Sequence, residues 1–299
     1  MKVTSAASTL PQQKGRCNNM DELIRLQLQK TACRVRMGII EGVYNAKSGH
    51  PGGSLSIADL LTYLYSVMNV DPKNPDMPER DRLVLSKGHT APALYSVLAE
   101  RGFFPKEELK SLRHIGALLQ GHPCIHIPGV DMSSGSLGQG ISTAVGMALS
   151  GKHRSQDYRV YTILGDGEIQ EGQVWEAAMF AAHYGLDNLV AIVDNNGLQI
   201  DGKITDVCSP EPITDKFAAF GWHVITMNAH DFDDIERAFR EAESISGQPV
   251  AIIQKSVKGK GVSFMENQVG WHGAAPNQEQ YEQAMSELSA ELERLEALA

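Results

Sequence analysis

Residues 163–202 read ILGDGEIQEGQVWEAAMFAAHYGLDNLVAIVDNNGLQIDG. Two small polar clusters, Gly165-Asp166-Gly167 and Asp194-Asn195-Asn196, each close an apolar run. The first run, RVYTIL, reads as a strand. The second, NLVAIVDN, is apolar along its length, as parallel strands covered on both faces are. The residues between them suffice for one turn, one helix (EGQVWEAAMFAAHYG) and one strand, which is a βαβ crossover. Ligands of such sheets sit beyond the carboxyl ends of the strands. Asp166 and Asn196 are therefore expected to converge at that edge.

The alternation continues outward from this stretch. Downstream, ITDKFAAFG and DFDDIERAFREAES read as helices, and WHVITM and PVAIIQKS as strands. Upstream, GISTAVGMALSG is a helix full of small residues, RLVLS a short strand, and APALYSVLAERG the helix after it. A long helix is expected over MDELIRLQLQKTACRVRMGIIEGVYNAK, with Asn19 as N-cap and Glu22 completing a capping box. It should end near KSGHPGG. A second helix should cover SLSIADLLTYLYSVMNV from a cap at Ser54, and PKEELKSLR should open another with proline in its first turn. GHPCIHIPGVDMSSGSLGQG is a long glycine-rich loop, a class that is usually functional or disordered. The fold class is thus α/β, a parallel sheet with helices on both faces. The expected division is a loose polar arm at 1–20, an α/β domain at 21–276 and an amphipathic C-terminal helix at 277–299.

Bulk properties narrow the function. The chain has 299 residues, 42% hydrophobic and 21% charged, enough for a sizeable core. A net charge of -9 argues against nucleic-acid binding. Cys17, Cys33, Cys124 and Cys208 form neither a zinc ribbon nor a disulfide framework, so reduced thiols in the cytoplasm are expected. The N-terminus lacks the apolar core of a secretory signal, and no apolar run is long enough to cross a bilayer.

One carboxylate and one amide oxygen are hard ligands that suit Mg²⁺ or Ca²⁺. They carry too little charge for a protein-only cage, and Mg²⁺ takes its remaining ligands from water and substrate phosphates. The pair therefore predicts a metal bridged to a diphosphate. Flanking glycines let backbone N–H groups approach the phosphate oxygens, and a helix starting near Glu171 can aim its N-terminus at them. Either cluster alone is ordinary turn chemistry; together, after successive strands, they point to a site. His50, His89, His122 and His272 all sit in glycine-flanked loops, where an imidazole can exchange protons or stabilise an alkoxide. Lys255, Lys258 and Lys260 follow the last strand. They read as a solvated loop or as charge balance near a phosphate, with Lys255 the best candidate.

GDG followed at this distance by NN resembles the thiamine diphosphate signature. The wider chain is similar to the amino-terminal, diphosphate-binding half of transketolase through SGHPGG, LSKGH, GHP, GSLGQGISTAVGMAL, LGDGEIQEGQVWEA, DNNGLQIDG, KSVKGKG and WHGAAP, in the family's order. The resemblance implies the thiamine diphosphate-binding fold, and thiamine diphosphate with Mg²⁺ as cofactors, Ca²⁺ or Mn²⁺ being possible substitutes. By similarity Asp166 and Asn196 bind the metal through their side chains and Leu198 through its carbonyl, while Gly167 and Asn196 touch the diphosphate. Gly135, Ser136 and Leu137 match the loop that meets the aminopyrimidine, with Ser136 where the family often has proline. Glu171 matches an acidic residue that couples the two sites across the subunit interface. His50 and His272 would face the sugar's hydroxyl and carbonyl oxygens, His89 and His272 the cofactor, and His122 the donor's hydroxyls. His114, His126, His153, His183, His223 and His230 match no motif and are read as structural.

The family's ring-protonating glutamate and aromatic clamp lie in a second, pyrimidine-binding domain, and the chain closes soon after WHGAAP. The resemblance therefore implies a split enzyme. A C-terminal pyrimidine-binding subunit is the expected partner, two copies of each chain are expected, and the isolated chain should be inactive. The reaction implied is transfer of a two-carbon ketol (glycolaldehyde) unit from a ketose or its phosphate to an aldose or its phosphate. The alternatives are another thiamine diphosphate enzyme half, akin to deoxyxylulose phosphate synthase or a keto-acid dehydrogenase alpha chain, and a non-catalytic diphosphate-binding module.

Overall fold

The structure, a computed structural model, describes residues 20–298. Helix α1 (Glu22–Ala46) begins at Asp21, whose carboxylate accepts the N–H groups of Leu23 and Ile24. The expected cap Asn19, like the polar arm, lies outside the described residues. The helix ends where Lys47 turns left-handed, just before the SGHPGG segment.

That segment forms a short helix, α2 (Pro51–Leu55), separate from α3 (Ala58–Val67). The single helix expected here from a Ser54 cap is therefore two, and Ser54 sits inside α2. Its hydroxyl donates to the His50 carbonyl at 2.7 Å. Ser56 donates to the Gly53 carbonyl and to Asp194, so serine hydroxyls compete for the backbone at the break. The PKEELKSLR helix is only a 3-10 turn at Lys106–Ser111, in which Leu109 alone is buried.

The remaining elements alternate as the pattern predicts. They are β1 (Arg82–Leu85), α4 (Ala91–Arg101), α5 (Gln139–His153), β2 (Val160–Gly165), α6 (Gly172–His183) and β3 (Leu189–Asn195). A two-stranded hairpin, β4 (Leu198–Gln199) with β5 (Gly202–Lys203), and a short α7 (Ile204–Cys208) precede α8 (Ile213–Ala219). The chain continues through β6 (His223–Asn228), α9 (Phe232–Ser244), β7 (Val250–Lys255) and α10 (Gln278–Glu296).

Five strands form one parallel sheet in the order β1-β2-β3-β7-β6. Alternate residues feed two cores, as the period-two geometry of a strand requires. Tyr161, Ile163, Val190, Ile192, Val250 and Ile252 pack with α1, α3, α4 and α9 on one face. Val160, Leu164, Ala191, Val193, Ala251 and Ile253 pack with α5, α6 and α8 on the other. The closing helix α10 lies on α1 and adds Ala284, Leu288 and Leu295 to the first core. Among the described residues no helix is long and apolar enough to cross a membrane.

Candidate active site

Strand register aligns Gly165 with Asp194, so the two polar clusters leave the sheet side by side. Asp166 is buried immediately beyond β2. Its two carboxylate oxygens accept the Gly167 N–H at 2.8 Å and the Gly197 N–H at 2.6 Å. Gly197 has φ +77, a left-handed turn that swings its N–H back toward Asp166. Asn196 donates through Nδ2 to Asp194 at 3.0 Å and accepts the Leu198 N–H through Oδ1 at 3.1 Å, which fixes its amide orientation. Burial, and then the neighbouring Asp194 carboxylate, push Asp166 up to about 7.

Asp194 has the opposite surroundings. It is fully buried and accepts from Lys87, Ser56, Ser256, Gln254 and Asn196. The Lys87 ammonium and these donors hold its carboxyl well below the usual range despite burial. Lys87, itself buried, also donates to the Gly53 carbonyl at 3.0 Å. A third buried carboxylate, Glu168, accepts from Ser86 and from the Gly138 and Gly165 N–H groups, tying the 135–138 loop to the end of β2.

Opposite the carboxylates, three imidazoles meet. Ring centroids lie 5.1 Å apart for His50 and His89, 5.6 Å for His50 and His272, and 5.3 Å for His89 and His272. Burial and nearby cations lower all three, His50 and His272 to about 4. Lys258, lowered to about 8 chiefly by burial, bridges the two sides. Its ammonium donates to the Leu198 carbonyl at 3.1 Å and to His272 Nδ1 at 2.9 Å. That contact leaves the neutral His272 proton on Nε2. The cavity enclosed has a volume of about 370 Å³, and its walls include His50, Lys87, His89, Asp166, Asn196 and Lys258.

Residues 28–295 match the family described as transketolase, thiamine diphosphate binding domain. The chain belongs to the transketolase family. One of the two apulose-4-phosphate transketolase subunits of Phocaeicola vulgatus is 45% identical over 276 residues, covering 92% of this chain and 97% of that one. The 6-deoxy-6-sulfo-D-fructose transketolase subunit SqwG of Clostridium sp. is 45% identical over 269 residues, with coverages of 89% and 98%. Human transketolase is 41% identical over 268 residues, and this chain spans only 42% of its length. The crystal structure of Campylobacter jejuni transketolase superposes with a TM-score of 0.84 at 34% identity, over 92% of this chain and 46% of that one.

Most positions singled out by the transketolase resemblance lie in the one cavity. Gly135, Leu137, Gly167, Glu171, Leu198 and His272 line it with the residues above. Ser136 is exposed and is not among the lining residues, and His122 packs its ring behind Gly135. Lys255, the favoured lysine, is exposed and faces a different cleft; Lys258 is the one in the site. Side chains alternate along a strand, and Lys255 still belongs to β7, whereas Lys258 lies in the loop that turns back over the strand ends. Lys87, Asp194 and Glu168 were not singled out by sequence. The apolar strand before Asp194 hinted at its burial, but nothing local marked Lys87 as its partner.

Proposed function

We propose that this chain is the diphosphate-binding subunit of a two-chain transketolase, with thiamine diphosphate held through a divalent metal. The observation that carries this reading is the convergence of Asp166, Asn196, the Leu198 carbonyl and three neutral imidazoles in one cavity at the carboxyl edge of the sheet. The match with single transketolase subunits over nearly their whole length supports it.

The donor set fits the cofactor. Asp166 is buried beside a second carboxylate, and only backbone N–H groups face it, so its charge invites a cation. Among the described residues no group of three His, Cys, Asp or Glu could hold a metal alone. A site with one carboxylate, one amide and one backbone carbonyl leaves positions for diphosphate oxygens, the manner in which Mg²⁺ is usually held. Ca²⁺ or Mn²⁺ would satisfy the same oxygens.

Thiamine diphosphate, when bound, supplies the nucleophilic carbon and the electron sink for carbon–carbon cleavage. The chain's own residues bind and orient. Asp166, Asn196 and Leu198 hold the metal, Gly167 offers its backbone to the diphosphate, and Gly135 and Leu137 border the cofactor's ring. His50, His89 and His272 are neutral at pH 7, so they act first as hydrogen-bond donors to the ketose oxygens and then as proton carriers. Exposed Leu137 and Ile200, with Glu171, stand around the cavity. They support a cover provided by a pyrimidine-binding partner subunit in an α2β2 cytoplasmic assembly.

The relatives named for apulose-4-phosphate and 6-deoxy-6-sulfo-D-fructose act on substrates bearing a phosphate and a sulfo group. We extend that class to this chain: a ketose with an anionic end as donor and an aldose as acceptor. Reconstitution with the chain encoded beside it, assayed with Mg²⁺, thiamine diphosphate and ketose phosphates or sulfo-ketoses, tests the reading. Ketol transfer is expected. Turnover of pyruvate in place of ketoses would favour a deoxyxylulose phosphate synthase or keto-acid dehydrogenase half, and no turnover of either would remove the enzyme reading.

A further inference from the structure

Outside the cavity, Arg36, Asp59 and His230 form a buried triad on the far side of the 256–261 loop. Arg36 grips Asp59 with two hydrogen bonds, Nη1 to Oδ1 at 3.0 Å and Nη2 to Oδ2 at 2.6 Å. His230 Nδ1 meets Asp59 Oδ2 at 2.7 Å. The other ring nitrogen, Nε2, accepts the Val257 N–H at 2.9 Å, so the ring proton is on Nδ1 and points at the carboxylate. Arg36 Nε donates to the Lys260 carbonyl at 3.0 Å.

The two backbone groups caught in this way, Val257 N–H and Lys260 C=O, flank Lys258. Between them the chain makes a turn that only glycine accommodates: Gly259 has φ +80, and a Cβ there would lie 2.3 Å from the Met265 carbonyl oxygen. The Gly259 N–H donates to the Gly52 carbonyl at 2.9 Å, and the Lys258 carbonyl accepts from Asn267 at 2.8 Å. The loop is thus held from both sides, and its one inward side chain is Lys258, which reaches Leu198 and His272.

We infer that Arg36, Asp59 and His230 are positioning residues for the proposed ketol transfer: one buried carboxylate orients two side chains that clamp the loop on either side of Lys258 and thereby set the tautomer of His272. The idea rests on the proposed reading of the cavity for its catalytic consequence, but not for its structural one. A clamp of this kind differs from a mere packing contact because its loss changes which nitrogen of a distant ring carries the proton.

The test uses ¹⁵N chemical shifts of the His272 ring in the full chain, which needs neither cofactor nor partner, together with kcat and KM of the reconstituted pair. H230N keeps a donor for Asp59 and loses the acceptor for Val257; R36K keeps the charge beside Asp59 and loses the Nε donor to Lys260. Either folded variant is expected to shift the His272 ring from the single Nε2–H tautomer toward a mixture. Each should also lower kcat about tenfold with KM little changed, the scale of a small misplacement of a reacting group. H230Q, which restores the acceptor, should return both readings toward wild type. Unchanged ring shifts and kcat in both folded variants would overturn the inference, and so would loss of the fold in both, which would make the triad purely structural. Altered ring shifts with an inactive wild-type pair would leave the clamp standing and count against the proposed function instead.

Discussion

Two buried carboxylates stand at the ends of adjacent strands in direct register, and they live in opposite electrostatic worlds. Asp194 collects a buried ammonium, two hydroxyls and two side-chain amides. Asp166, one residue beyond Asp194's register partner Gly165, collects two backbone N–H groups and a like charge for a neighbour. Burying a charge is costly unless it is paired. The first carboxylate is settled by the fold itself. The second is left for something the chain does not contain, and the cavity opens on its side. The same division extends to the imidazoles, which lie toward Lys87 and Lys258 and are held neutral.

The largest effect should come from unbalancing the settled end. In D194N the buried Lys87 ammonium loses its counter-charge, and unfolding in urea should show a loss of about 3–5 kcal/mol, the usual result of breaking a buried pair. A stability close to wild type would mean that Asp194 is not the hub. D166N is the sharper half of the contrast. It removes a carboxylate that the fold leaves uncompensated, so stability should change by less than about 1 kcal/mol. Ketol transfer in the reconstituted pair should nevertheless fall about a hundredfold or more, at or beyond the range for disturbing a metal site's outer shell. Equal destabilisation by both substitutions would erase the distinction.

That contrast was half visible in the sequence. The strands were legible because VYTIL and LVAIV are apolar on both faces, and a parallel sheet then places Asp166 and Asn196 at one edge. The split between α2 and α3 was not, because Ser54 and Ser56 look like ordinary cap candidates until Asp194 is seen to draw Ser56 inward. Lys87 and Asp194 are 107 residues apart, and a lysine beside a glycine reads as surface until its partner is found. Lys255 and Lys258 differ only in which way the chain faces after β7, information that the strand pattern alone does not carry past its last residue. His230, set aside as structural from its sequence context, does lie outside the cavity, where it touches the carboxylate and the loop described above.

A smaller effect tests the neutral imidazoles. Unfolded histidines take up protons near pH 6.5, whereas His50 and His272 resist until about 4. Between those values the unfolded chain binds more protons than the folded one, so their contribution to stability is full above about 6.5 and declines as the pH falls toward 4. Melting curves of wild type and of H50N H272N across that window should converge as the pH drops. A gap that widens on acidification would contradict the assignment. The smallest effect belongs to the lysine pair. K255M should alter neither activity nor stability beyond about 0.5 kcal/mol, while K258M, with its ammonium gone from Leu198 and His272, should lose activity. The reverse ranking would return Lys255 to the site.

The central claim is that Asp166 and Asn196 await a cation that carries a diphosphate. Calorimetric titration of thiamine diphosphate into the chain with its partner, with Mg²⁺ and again after chelation, measures this directly. The account predicts saturable binding with the metal and none after its removal. Binding of equal strength in the chelated protein would contradict it.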